Sequence, residues 1–147
     1  MSKAVIVYDS RTGSTETMAR AIEEGMKEGD IQVLAKRATQ AKALDLKDAD
    51  AIVLGCPTYN GDLMPSMRTF LFEMEKANLN GKVGAAFGSY GWSGESIPRM
   101  SDTMKHVFGM NVVEPGLKLL RRPSEIGLSQ CKDFGKKIAE RTKQGAK

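Results

Sequence analysis

The chain has 147 residues, 41% of them hydrophobic and 27% charged, with a formal net charge of +4. That size suits one domain with a real core over residues 1–147, and no apolar run approaches the ~18 residues of a membrane span. Cys56 and Cys131 lie far apart without a Cys or His neighbour at ligand spacing, and His106 is the one histidine, so a zinc ribbon, a Cys-x-x-Cys redox pair and an iron–sulfur cluster within the chain are excluded. Any redox function needs an organic cofactor.

Charge is uneven along the chain: −2 over residues 1–30, zero over 31–80 and +6 over 81–147. The late lysines and arginines fall at helical spacing on a segment with its own apolar stripe, which reads as a solvated helix face with no nucleic-acid or membrane partner. Met-Ser-Lys leads straight into an apolar run too short for a signal-peptide core, so a cytoplasmic location is expected.

Short apolar runs alternate with helix-period segments, the pattern of βαβ units around a parallel sheet. Ala4–Tyr8 reads as a strand buried on both faces. Met18, Ala19, Ile22 and Met26 then form one helical stripe. Ile31–Ala35 is a weaker second strand and Ala51–Gly55 a buried third. Pro65 suits the first turn of a helix with stripe Met67, Phe70, Leu71 and Met74. Val83–Gly88 is a fourth strand, followed by a helix with Pro98 in its first turn and stripe Met100, Met104, Val107 and Phe108. Pro115-Gly116 splits the fifth strand, leaving Leu117–Leu120 as its inner half. Ser124 caps a final helix with stripe Leu128, Cys131, Phe134 and Ile138.

Ligands of an open parallel sheet bind beyond the carboxyl ends of its strands, and three loops there have unusual composition. The first, Ser10, Arg11, Thr12, Gly13, Ser14 and Thr15, offers four hydroxyls and backbone N–H groups where a helix begins. These are the parts of a phosphate cradle, and equally of ordinary Ser/Thr capping. It lacks the lysine of a P-loop and the three glycines of a dinucleotide fingerprint. The second loop is Pro57, Thr58, Tyr59, Asn60 and Gly61, with Asp62 after it. The third is Ser89, Tyr90, Gly91, Trp92, Ser93, Gly94 and Glu95. Of nine aromatic residues in the chain, three lie in these two loops, where a large ring buries little core and serves as a stacking surface. Together the loops describe a pocket for a ring system bearing a monophosphate.

The run Ser10-x-Thr12-Gly13-x-Thr15 resembles the flavodoxin signature for the phosphate of FMN. The Pro57–Gly61 and Gly88–Glu95 segments resemble its two flavin-ring loops, the latter especially those of flavodiiron (A-type) flavoproteins. The resemblance covers the whole chain. It implies a flavodoxin-like α/β three-layer sandwich with a five-stranded parallel sheet of order 2-1-3-4-5 and non-covalent FMN. It further implies a short-chain, low-potential electron carrier between redox partner proteins, monomeric or weakly dimeric, with all eighteen loop residues named above from Ser10 to Glu95 (Asp62 aside) around the cofactor. A redox-linked backbone change at Asn60-Gly61 is also implied. The net positive charge departs from the acidic character common in flavodoxins.

A phospho-receiver domain would need more acid after strand one than Asp9 and an Asp at the end of strand three, where Gly55-Cys56-Pro57 stands. A small FMN-dependent NAD(P)H:quinone-type oxidoreductase is the alternative, although 147 residues leave little material for a substrate shelf. The iron site of a flavodiiron oxidase needs several histidines. Cys56 and Cys131 read as small buried hydrophobes and His106 as a surface residue.

Overall fold

A computed structural model of the chain describes residues 2–58, 61–91 and 94–145. The first strand, β1 (Lys3–Tyr8), and the third, β3 (Ala51–Gly55), are continuous apolar runs, and both are buried on the two faces of a central sheet. On their flanks and between them come α1 (Ser14–Glu28), β2 (Gln32–Arg37) and the single turn α2 (Ala43–Leu46). Then follow α3 (Pro65–Met74), β4 (Val83–Tyr90), α4 (Ser96–Asp102), a π-helical turn (Thr103–Val107), β5 (Asn111–Val112), β6 (Leu117–Leu120) and α5 (Glu125–Gly145). All strand pairs are parallel, in the order β2-β1-β3-β4-β5, with β6 also on β4. β5 and β6 share one position in that order, interrupted at Pro115-Gly116 as the sequence predicts. The sheet is therefore five strands wide, of order 2-1-3-4-5.

Alternation within the strands fills two helical layers. Val5, Val7, Ile52, Leu54 and Ala86 pack with Leu46, Met67, Phe70, Met74, Met100 and Met104 on one face. Ala4, Ile6, Val53, Ala85 and Phe87 pack with Met18, Ile22, Met26, Cys131, Phe134 and Ile138 on the other. Fully burying each Val, Leu, Ile, Phe or Met among them contributes roughly 1.5–3 kcal/mol. The helix stripes hold apart from Val107, which is 65% exposed, and Leu128, which is only partly buried and lies outside both core clusters. The π-helical turn at Thr103–Val107 adds a residue to the helical repeat and rotates Val107 outward, while Phe108 stays partly buried against the core and Met104 is the last fully buried member.

Two further boundaries move. β2 begins one residue later than the apolar run and extends to Arg37, because β1 pairs with it to Tyr8. β4 runs to Tyr90, so Ser89 and Tyr90 are strand residues and not loop residues. The cause is β6, which supplies Leu119 and Leu120 as their partners. Ser124 does cap α5, accepting from the Gly127 N–H at 3.2 Å. No helix among the described residues is long and apolar enough to cross a membrane.

Candidate functional site

The three loops converge beyond the carboxyl ends of β1, β3 and β4. Arg11, Thr12 and Ser14 of the first, Pro57 and Thr58 of the second, and Ser89, Tyr90 and Gly91 of the third line one cavity of about 500 Å³. That volume lies within the range of small-molecule and cofactor sites. Tyr59, Asn60, Trp92 and Ser93 lie outside the described residues, so the expected ring walls are represented by Tyr90 alone.

The start of α1 is built to leave donors open. Its N-cap is Gly13 in the left-handed region (φ 91°), and no side chain caps it. Ser10 instead turns its Oγ to the Gly13 N–H at 3.0 Å, while Thr17 is the first residue to donate back to Gly13 O. Among the described residues the N–H groups of Ser14, Thr15 and Glu16 therefore find no acceptor, although Ser14 and Thr15 are buried. These donors open toward the cavity, and the positive end of the helix dipole favours an anion at the same place. Ser/Thr capping of α1 by its own loop does not occur. An anion-shaped set of donors is left in its place.

Hydroxyl bonds lock the loops to each other. Thr15 Oγ1 and Ser89 Oγ share a buried hydrogen bond of 3.0 Å, tying the first loop to the third. Thr58 Oγ1 and Ser96 Oγ lie 2.8 Å apart, the Ser96 N–H donates to Thr58 Oγ1, and Ser96 Oγ also meets Cys56 O at 3.1 Å. Ser96 is fully buried and was not among the sequence-predicted residues; its signal is a hydroxyl at the start of the helix that follows the third loop. Gly61, in the second loop, has φ 73°, with open space where a Cβ would stand. Gly94 packs beside the Lys118 stem. Glu95 sits just before α4.

Charge around the site is organised by a few ion pairs. Asp9, 5% exposed at the end of β1, accepts from Ser66 Oγ at 2.6 Å and so anchors the start of α3. Burial pushes its carboxyl above the ordinary value, opposed by the bonds from Ser66 and the Met67 N–H and by the Arg37 charge. Asp62 accepts from the Leu63 N–H and pairs with Arg68 and Arg99, which hold its carboxyl below the ordinary value. Burial pushes the Cys56 and Cys131 thiols up to about 12, so neither supplies a thiolate at neutral pH. Sequence reasoning missed Arg121 and Arg122, which line the cavity from the end of β6. The rule that ligands sit at strand carboxyl ends would have found them, had it been applied to the last strand.

A doubly wound parallel sheet with a hydroxyl-rich anion cradle at its first crossover defines a mononucleotide-binding α/β protein. The chain belongs to the flavodoxin family, whose model matches residues 6–135. The family binds FMN. In structure, an archaeal flavodoxin superposes with a TM-score of 0.92 at 39% identity, covering 96% of this chain and 99% of that one. In sequence, the type A flavoprotein fprA of Rhodobacter capsulatus is 38% identical over 92% of this chain, and a nitric oxide reductase of Moorella thermoacetica 33% identical over 95%. The chain spans about a third of the length of these two relatives, 32% and 36%. The similarity to A-type flavoproteins that the third loop suggests thus extends over 92% of the chain.

Proposed function

We propose that the cavity at Ser10–Thr15, Pro57–Gly61 and Ser89–Glu95 holds one FMN non-covalently and that the chain carries electrons between redox partner proteins. The observation that carries the cofactor site is the set of unpaired N–H groups at Ser14, Thr15 and Glu16, opening where Thr12 and Ser14 line the cavity. Three N–H donors with hydroxyls on either side suit a phosphate monoester, which needs several acceptors satisfied at once. The cavity volume leaves room beyond the cradle for a ring between Pro57-Thr58 and Tyr90-Gly91.

When bound, FMN supplies one- and two-electron redox chemistry; the chain's part is to hold and shield it. Ser14, Thr15 and the α1 N-terminus orient the phosphate. The Thr15–Ser89 and Thr58–Ser96 bonds fix the spacing between the loops on either side of the ring. Gly61 keeps the second loop free of a side chain at a left-handed position, which suits a backbone that changes its hydrogen bonding with the redox state. Among the described residues that line the cavity there is no carboxylate, imidazole or thiol.

The role is tested by steady-state assays with NADPH or NADH and a quinone. The FMN-loaded chain alone is expected to turn over negligibly and to gain activity only when a separate flavin reductase is added. Brisk turnover by the chain alone would assign it instead to the small quinone reductases.

A further inference from the structure

We infer that the segment Lys118–Arg122 is the docking face for an acidic electron-transfer protein. The inference rests on the electron-carrier reading and names the chemistry of the partner. Three observations support it. Three charged residues line the described part of the cavity, Arg11, Arg121 and Arg122, and no carboxylate does. A bound FMN phosphate would bring roughly two negative charges, so the mouth stays neutral to positive where hydroxyls alone would leave it negative. Among the described residues neither Arg121 nor Arg122 makes an ion pair, while Asp62 is held by Arg68 and Arg99 and Glu16 by Arg20 and Arg37. Glu125 and Glu114 are the carboxylates nearest to the pair along the chain; neither lines the cavity, and Glu114 pairs with Lys105.

The second observation is apolar exposure next to the arginine pair along the chain. Leu120 is 54% exposed immediately before the arginine pair, and Ile126 is 75% exposed just after it. Leu117 and Leu119 turn inward beneath α5, so alternation sends Lys118 and Leu120 to the opposite side of the edge strand. Isolated apolar residues flanked by arginines match the composition of protein interfaces, in which arginine is enriched. The third observation is conformational. Arg121 has φ 57°, a left-handed position uncommon for a non-glycine residue, held by its N–H donating to Tyr90 O at 2.7 Å. That geometry turns the chain sharply at the mouth of the cavity and fixes both arginines on its rim.

The experiment follows reduction of the FMN-loaded chain by a reduced plant-type [2Fe–2S] ferredoxin, a small acidic protein that delivers one electron per molecule. The arms are the parent, Arg121→Glu with Arg122→Glu, the neutral pair Arg121→Gln with Arg122→Gln, and Lys143→Glu at the far end of α5. Each is first loaded with FMN and its flavin content read from the absorption spectrum. The parent rate should fall at least about tenfold as salt rises from about 20 to about 500 mM. At low salt the double reversal should be slower by about 10–100-fold and nearly salt-independent, the neutral pair intermediate, and Lys143→Glu close to the parent. Reduction of cytochrome c, a basic acceptor, should respond in the opposite sense. A double reversal within about twofold of the parent, or a larger loss in Lys143→Glu, overturns the docking face, as does failure of both arginine variants to load FMN, which would assign the pair to the cofactor. Failure of the parent itself to load FMN would instead overturn the cofactor reading.

Discussion

Glycines at two places in this molecule do opposite work. Between α1 and α5 they let backbones touch: a Cβ on Gly25 would run into the Lys132 carbonyl, and one on Gly135 into the Ile22 carbonyl. At the loop end of the sheet, Gly13, Gly61 and Gly91 face open space, with nothing within 4 Å of an added Cβ. The seam is closed because packing there stabilises the fold; Gly13, Gly61 and Gly91 leave open space where, on the proposed reading, the cofactor sits. Substitution should therefore separate the two regions, stability failing at one and binding at the other.

The largest effect is expected at the seam. Gly135→Val forces α5 away from α1 and should destabilise the chain by about 3 kcal/mol or more, read from urea denaturation. FMN added in excess should recover only part of that loss, since the cradle is remote from Gly135. Next comes Thr15→Ala, which removes a buried hydroxyl bonded to Ser89 inside the cradle. FMN affinity should drop by about 1–3 kcal/mol in a calorimetric titration, with a smaller loss of stability in the apo chain. A large apo destabilisation with unchanged affinity would place Thr15 with the seam and not with the site.

Gly61→Val has room for its side chain but not for its backbone, so a cost of about 1–2 kcal/mol should arise from φ 73° alone. The effect should appear in FMN affinity more than in stability. The smallest effect concerns Asp9. Its folded-state pKa lies above the ordinary 3.8, so the native chain holds the proton in a window where the unfolded chain has released it. Stability contributed by this group is present below 3.8 and declines as pH rises through the folded-state value. Asp9→Asn retains an acceptor for Ser66 and should remove that decline, so the variant gains on the parent in urea denaturation as pH rises above 3.8. A gain on acidification instead would reverse the sign of the burial effect.

The fold was legible because its buried strands are continuous apolar runs and its main helices keep a regular stripe. Exceptions have local causes. Val107 escapes the stripe through a π-helical turn, which a fixed period of 3.6 cannot anticipate. α2, four residues long, is too short to show any period at all. Ser89 and Tyr90 belong to β4 because of a partner strand about thirty residues later, a long-range fact that local composition does not hold. Among site residues, Thr12, Ser14, Thr58 and Gly91 were legible from hydroxyl and glycine density and do line the cavity. Arg121 and Arg122 were obscured because they sit in a generally basic region. What separates them from Arg141 and Lys143, which meet Asn111 and Asp30 at the other end of α5, is position in space.

The central claim is that the first loop is a phosphate cradle in an FMN site. Calorimetric titration of the flavin-free chain with FMN and with riboflavin, which lacks the phosphate, tests it most directly. The account predicts one FMN per chain and riboflavin binding weaker by at least about 100-fold, since several charge-assisted hydrogen bonds at the start of α1 go unmade. Equal affinity for the two flavins, or no binding of FMN, would contradict it.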